Sequence, residues 1–302
     1  MQKFLVVITG PTGIGKTSIG IEVARHFQTE IISSDSRQIF RELSIGTAVP
    51  EDHELKAITH HFIHSHSIEE EYNASRYESE ALKLLEKLFH KHDVVLLVGG
   101  SMLYVDAVCN GIDLMPDADP EIREKLKQQL ANEGIESLRL QLKTLDPNYY
   151  EKVDLKNPYR IIHALEITIQ TGKPYSSFRK QTAKERDFQI IKIGLNCDRN
   201  ELHNRINQRV DKMIQSGLIE EARNVYHKKH LNSLNTVGYR ELFSWFDGEI
   251  SREEAIDLIK RNSRRYARKQ LTWFRRDPKM QWFKPDDIQQ IIESISERMN
   301  KQ

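Results

Sequence analysis

One segment near the start of the chain most constrains its fold. Residues 10–17 read G-x-x-x-x-G-K-T, directly after the apolar run 4–8 and ahead of a helical pattern over 18–27. Glycines at this spacing let the backbone wrap an anion with convergent N–H groups, the lysine adds a point charge, and the last hydroxyl suits Mg²⁺. The predicted phosphate-binding loop comprises Gly10, Pro11, Thr12, Gly13, Ile14, Gly15, Lys16 and Thr17.

Apolar strands alternate with helical patterns along the first hundred residues. Strands are predicted over 4–9, 30–38 and 93–101, with a long helix over about 75–91. Because this alternation is typical of a parallel sheet with helices on both faces, we predict an α/β fold with a doubly wound P-loop core. Ligands of such sheets gather at the carboxyl ends of the strands, so we expect Asp35 and residues 99–101 beside the phosphate loop.

The strand pattern stops in the middle of the chain and returns near residue 189. Asp119 and Asn157, each followed by proline, are predicted helix N-caps, and the second of these helices should end at Gly172. We therefore predict three segments: a first part of the core over 1–112, an inserted all-helical domain over 113–188, and the rest of the core with basic C-terminal helices over 189–302.

Composition limits the setting in which the chain works. It is 38% hydrophobic and 29% charged with a net charge of only +1, so contact with a polyanion requires local clustering of cations. The two cysteines, Cys109 and Cys197, lack metal-ligand spacing, which favours reduced thiols. No run approaches the roughly 18 apolar residues of a membrane span. We expect a cytoplasmic protein without membrane contact, with monomer as the default oligomeric state.

The residues around the predicted loop favour some phosphate chemistries over others. Asp35 follows the second strand, where it could act as a general base; a helix N-cap, or an aspartate near Mg²⁺ that does not ligate the ion, is an equally good interpretation. Phosphate-loop ATPases usually carry an aspartate at the end of a further apolar strand, but here Gly99 and Gly100 follow it, and Asp93 precedes it. This disfavours a motor-type ATPase and leaves kinases and other phosphate-handling transferases.

Cations cluster near the C-terminus. Residues 260–279 hold nine Lys or Arg against the single Asp277, together with Tyr266, Trp273 and Phe274. Cations mixed with aromatic residues suit phosphate contact and base stacking, so this stretch predicts nucleic-acid binding. The histidines at 60, 61, 64 and 66 do not predict a metal site, because no cysteine or well-placed carboxylate completes a ligand set.

Eight motifs together resemble those of bacterial tRNA dimethylallyltransferases, also called tRNA isopentenyltransferases or the IPP transferase family. They lie at residues 10–17, 34–38, 46–50, 60–61, 98–104, 208–209, 236–240 and 269–273, in the family's order and spacing and across nearly the whole chain. The resemblance implies a Mg²⁺-dependent prenyltransferase. Its donor would be dimethylallyl diphosphate, its acceptor N6 of the adenine on the 3′ side of the anticodon in tRNA, and its second product diphosphate.

The resemblance also assigns roles to residues. Asp35 would bind the adenine amino group and act as the base. The diphosphate would be bound by Lys16, by Mg²⁺ held on Thr17, and by Arg209. The positions predicted to contact tRNA are Asp35, Ser36, Arg37, Gln38, Ser101, Arg123, Tyr159, Arg160, His163, Asn235, Thr236, Val237, Gly238, Tyr239 and Arg240.

This sequence departs from the family pattern at several of these positions. Ser101 stands where threonine is common, Tyr159 and His163 flank Arg160 where glutamine and arginine are frequent, and Asn235-Thr236 replaces an Arg-Cys pair of some members. The contacts with the anticodon arm are therefore predicted less sharply than the chemistry.

Three functional hypotheses follow. The first is prenyl transfer to tRNA, with the insertion (Arg123, Arg160) and the basic C-terminal helix (Arg261, Arg264, Arg265, Arg268) gripping the anticodon arm while the adenine is turned out of its stack. The second, from the phosphate loop alone, is an ATP-dependent small-molecule kinase. The third is a tRNA-binding protein without catalysis.

Overall fold

A computed structural model describes residues 2–113, 115–116, 119–179 and 184–301. The chain divides into two compact units. The first comprises Met1–Cys109 and Glu185–Gln302, and the second comprises Asn110–Lys184, where the helical insertion is predicted.

The first unit contains a six-stranded sheet in which every pair of neighbouring strands is parallel. Its strands are β1 (Phe4–Thr9), β2 (Ile31–Ser33), β3 (His60–His61), β4 (Val94–Gly99), β5 (Gln189–Leu195) and β6 (Gln281–Phe283), in the spatial order β3-β2-β4-β1-β5-β6. The strand predicted over 4–9 is confirmed, and so is the return of the strand pattern near residue 189. The strand predicted over 30–38 is shorter, because the chain turns at Asp35. The short edge strands β3 and β6 were not predicted.

Helices occupy both units. They are α1 (Lys16–His26), α2 (Asp52–Ala57), α3 (Ala74–Phe89), α4 (Met102–Asn110), α5 (Pro120–Glu133), α6 (Ile135–Leu145), α7 (Pro147–Tyr150), α8 (Pro158–Thr171), α9 (Tyr175–Phe178), α10 (Arg199–Gln215), α11 (Leu218–Val225), α12 (Tyr239–Phe246), α13 (Arg252–Phe274) and α14 (Ile288–Asn300). With β1 to β6, they confirm the predicted α/β class with a parallel sheet and helical insertion.

Alternate residues of the central strand β1 face opposite sides of the sheet. Val6 and Ile8 belong to a core shared with α1 and α14, whereas Leu5 and Val7 belong to a second core shared with α3 and α4. Helices therefore cover both faces, which is the doubly wound arrangement. Thr9 pairs with Gly99 and Ser33 with Val98, so the loops after β1, β2 and β4 meet at one edge.

The second unit is helical and has its own core, which includes Leu138, Leu142, Ile161 and Leu165. Its predicted caps are confirmed: Asp119 and Asn157 accept backbone N–H groups at the starts of α5 and α8, and Gly172, in a left-handed conformation, ends α8. Among the described residues, no helix is long and apolar enough to cross a membrane.

Candidate active site

The phosphate-binding loop connects β1 to α1. Gly13 has a φ of 81°, and an added Cβ would lie 2.9 Å from the Ile206 side chain, so only glycine fits there without strain. Helix α1 begins at Lys16, and its first-turn N–H groups have no partner within the helix. The loop thus has the backbone shape that its glycine spacing predicts.

Lys16 lies against the loop itself. Its Nζ donates to the carbonyl oxygens of Gly10 at 3.1 Å and Pro11 at 2.8 Å. Burial and the nearby Arg209 lower the pKa of Lys16 to about 7, while Asp35 opposes the shift. Because a bound anion favours the charged form, a phosphate in this loop would pull the pKa back up.

Asp35 lies before the turn that follows β2, where it caps that turn rather than a helix. One carboxylate oxygen, Oδ1, accepts the backbone N–H groups of Arg37 at 2.9 Å and Gln38 at 3.3 Å. The other oxygen makes no hydrogen bond within the described part of the chain. Asp35 therefore caps its turn with one oxygen, and its second oxygen is available to accept a proton.

The loops after β2 and β4 are tied together by hydroxyl groups. Ser101 Oγ accepts from Ser36 N at 2.8 Å and donates to Ser36 Oγ at 3.1 Å. Tyr266 of α13 lines the same cavity as Ser101. Burial raises the Tyr266 pKa to about 12, and the nearby Asp35 adds to the rise. These contacts fix Ser36 and Ser101 beside Asp35.

A cavity of about 300 Å³ opens among these groups. Asp35, Arg37 and Arg209 line it, and its apolar wall consists of Ile206, Val210, Met213, Leu218, Val237 and Ile259. The Arg37 and Arg209 side chains are half-buried and make no ion pair or hydrogen bond with other described residues. Burial lowers the pKa of both, with Asp35 opposing the shift. Half-buried guanidinium groups without a carboxylate partner favour an incoming anion.

The remaining core residues predicted to contact tRNA take different positions. Five of them line the cavity: Asn235, Thr236, Val237, Gly238 and Arg240. Gln38 is occupied within the chain, because its Nε2 donates to the carbonyl oxygens of Thr47 at 3.2 Å and Ala48 at 2.8 Å.

The prediction that Tyr239 contacts tRNA is corrected by its burial. Its side chain is 0% exposed, and its hydroxyl donates to Glu221 Oε1 at 2.6 Å. The Glu221 carboxylate in turn accepts the N–H groups of residues 44–46 at 2.8 Å each. Tyr239 therefore supports the 44–46 loop through Glu221, and its buried ring cannot contact a ligand.

In the second unit, the predicted contacts fall into two groups. Arg123 forms two hydrogen bonds of 2.8 Å with the fully buried Glu166, and His163 Nδ1 lies 2.7 Å from the same carboxylate. Burial alone would raise the pKa of Glu166, but the Arg123 and His163 hydrogen bonds lower it. Tyr159, by contrast, is 78% exposed, and Arg160 is also exposed.

The fold and the cavity define a class of protein: a P-loop enzyme in which a phosphate cradle, a free carboxylate oxygen and unpaired arginines meet, without the strand-end aspartate of ATPases. Asp93, at the opposite end of β4, is ion-paired to Lys3 at 2.8 Å. The chain belongs to the IPP transferase family, whose model matches residues 38–277.

The individual proteins to which the chain is similar carry names that agree with this family. The chain is 54% identical to tRNA dimethylallyltransferase 1 of Bacteroides fragilis over 96% of both chains, and 54% identical to tRNA dimethylallyltransferase of Christiangramia forsetii over 99% of this chain and 100% of the relative. Among solved structures, it is similar to the tRNA isopentenylpyrophosphate transferase of Bacillus halodurans, with 34% identity and a TM-score of 0.74 over 100% of this chain and 98% of that one. A eukaryotic dimethylallyltransferase acting on tRNA gives 25% identity and a TM-score of 0.79 over 98% of this chain and 77% of that one.

Proposed function

We propose that this chain transfers the dimethylallyl group of dimethylallyl diphosphate to N6 of the adenine on the 3′ side of the anticodon in tRNA. The observation that carries the proposal is the cavity beside the phosphate loop, where the free oxygen of Asp35, the unpaired Arg209 and an apolar wall face one space. The relatives at 54% identity are named tRNA dimethylallyltransferases, which supports the same reaction.

Each part of the cavity suits one part of this reaction. The diphosphate would lie in the phosphate loop with Lys16 and Arg209, and the branched five-carbon group would pack on the apolar wall. N6 bonds to the first carbon of that group as the bond from the carbon to the diphosphate oxygen breaks. The N6 proton passes to Asp35, and the electron pair of the broken bond leaves with diphosphate. Arginine and lysine at the developing charge lower the barrier.

Mg²⁺ fits this site. The hydroxyl of Thr17 lies in the first turn of α1, half-buried and without a hydrogen-bond partner among the described residues. Mg²⁺ is commonly held by one or two protein oxygens together with substrate phosphates, so Thr17 would hold the ion. When bound, it would supply positive charge against the leaving diphosphate.

Mass analysis of tRNA nucleosides tests the proposal. Purified protein is incubated with tRNA and Mg²⁺, and with either dimethylallyl diphosphate or ATP. We expect one adenosine to gain the mass of a dimethylallyl group with the first donor, with diphosphate released only when tRNA is present. Consumption of ATP with a small acceptor would instead indicate a kinase, and tRNA binding without a mass change would indicate a non-catalytic protein. We also propose that the chain is a monomer and that the helical insertion and the basic C-terminal helix hold the anticodon arm.

A further inference from the structure

We propose that Gln270 of α13 is a positioning residue that holds the phosphate loop in its binding conformation. Its side chain is 2% exposed. Its Oε1 accepts the backbone N–H of Thr12 at 2.8 Å, and its Nε2 donates to the carbonyl oxygen of Gly100 at 2.8 Å. One buried amide thus joins the phosphate loop to the loop after β4. The inference rests on the proposed function, in which the phosphate loop receives a diphosphate.

The bond to Thr12 fixes a peptide group that also holds Lys16. The N–H of Thr12 and the carbonyl of Pro11 belong to the same planar peptide unit. Gln270 accepts from one side of this unit, and Lys16 Nζ donates to the other side at 2.8 Å. The orientation of this unit, and with it the position of the Lys16 ammonium, is therefore coupled to the amide of Gln270.

The Gln270 amide packs closely against Gly100. A Cβ at Gly100 would lie 2.4 Å from Gln270 Nε2 and 3.4 Å from Lys16 Nζ, so glycine at this position permits the close approach. A leucine at 270 would leave the Thr12 N–H and the Gly100 carbonyl without their present partner. A glutamate would keep an acceptor for Thr12 but place a carboxylate oxygen against the Gly100 carbonyl. Both changes therefore remove at least one of the two hydrogen bonds by which residue 270 joins the loops.

The rest of α13 supports this role. Tyr266, one turn before Gln270, lines the cavity together with Ser263 of the same helix and Ser101 of the loop after β4. Through Gln270, the helix contacts two loops at the carboxyl edge of the sheet, the phosphate loop and the loop after β4. A substitution at Gln270 would therefore affect the point at which α13 contacts the phosphate loop.

The test compares Gln270→Leu and Gln270→Glu with the wild type and with a control, Gln281→Leu. Gln281 in β6 is a half-buried amide whose Oε1 accepts from Ser294 Oγ at 2.7 Å, and it does not line the cavity. Calorimetry measures the affinity for inorganic pyrophosphate with Mg²⁺, and hydrogen exchange measures protection of the peptide covering residues 8–14. Steady-state transfer gives KM for the donor and kcat.

We expect both Gln270 variants to bind pyrophosphate about tenfold or more weakly. The leucine leaves the Thr12 N–H and the Gly100 carbonyl without their partner, and the glutamate places a carboxylate oxygen against the Gly100 carbonyl. Exchange over residues 8–14 should accelerate, KM for the donor should rise, and the Kd for tRNA should stay within about twofold, whereas Gln281→Leu matches the wild type. Gln270→Glu carries the test if the leucine variant does not fold. Unchanged pyrophosphate affinity and exchange in a folded Gln270 variant would overturn the inference. The pyrophosphate measurement requires no transfer, so a wild type that binds pyrophosphate but never modifies tRNA would contradict only the proposed function.

Discussion

The core and the helical insertion both carry charged residues predicted to meet a substrate, either the diphosphate or tRNA, but they use those charges differently. In the core, Arg37 and Arg209 line a cavity without ion-pair partners in the described chain. In the insertion, Arg123 and His163 are bonded to the buried Glu166, and the exposed candidates are Tyr159 and Arg160. Unpaired buried charge marks a place where a ligand completes the site, whereas internally paired charge serves folding. The core should therefore control turnover, and the insertion should control stability and tRNA affinity.

The largest effect should come from Arg209. Replacing it in Arg209→Gln removes a cation from the developing diphosphate charge, so we expect kcat to fall about 10²–10³-fold. The matched control is Arg205→Gln, one turn earlier on α10, where Arg205 is ion-paired to Glu201 at 3.4 Å and does not line the cavity. Steady-state kinetics at saturating donor and tRNA measure both. Equal kcat values for the two variants would remove Arg209 from the leaving-group site.

Arg123 should behave as a structural residue. In Arg123→Gln the fully buried Glu166 loses both hydrogen bonds from the guanidinium group, so we expect a loss of about 1–3 kcal/mol of unfolding free energy. The control Lys127→Gln removes an exposed ion pair with Glu124 and should change stability by less than about 0.5 kcal/mol. Urea denaturation measures both. A stable Arg123→Gln protein with weakened tRNA binding would reverse the comparison.

Arg160 should give the smallest and most specific effect. Its side chain is exposed and makes no ion pair or hydrogen bond with the residues that the structure describes. Arg160→Gln should therefore weaken tRNA binding and flatten the log–log dependence of affinity on salt by about one unit. Titrations with tRNA at several salt concentrations give the slope. Donor binding should not change. An unaltered slope would show that Arg160 faces solvent in the complex.

The sequence predicted best what depends on short-range spacing. The phosphate loop, strands β1 and β5 and the caps of α5 and α8 each follow from residue types a few positions apart. The edge strands β3 and β6 have two and three residues, too few for a periodic pattern.

What depends on contacts between distant segments could not be predicted in the same way. An aromatic residue such as Tyr239 can face solvent or the interior, and only packing against the 44–46 loop decides. The pairing of Arg123 with Glu166 and the bonds of Gln270 to Thr12 and Gly100 likewise join residues 43 to 258 positions apart. The sequence therefore could not separate residues that support the site from those that face the cavity.

The most direct test of the division between core and insertion is a single-turnover experiment. Prenyl transfer is followed in the wild type, Asp35→Asn and Arg160→Gln at saturating dimethylallyl diphosphate and increasing tRNA. We expect Asp35→Asn to remain about 10²–10⁴-fold slow at every tRNA concentration, because the acceptor for the N6 proton is lost. Arg160→Gln should reach the wild-type rate once tRNA saturates. A near-normal rate in Asp35→Asn, or an Arg160→Gln rate that stays low at saturating tRNA, would contradict the account.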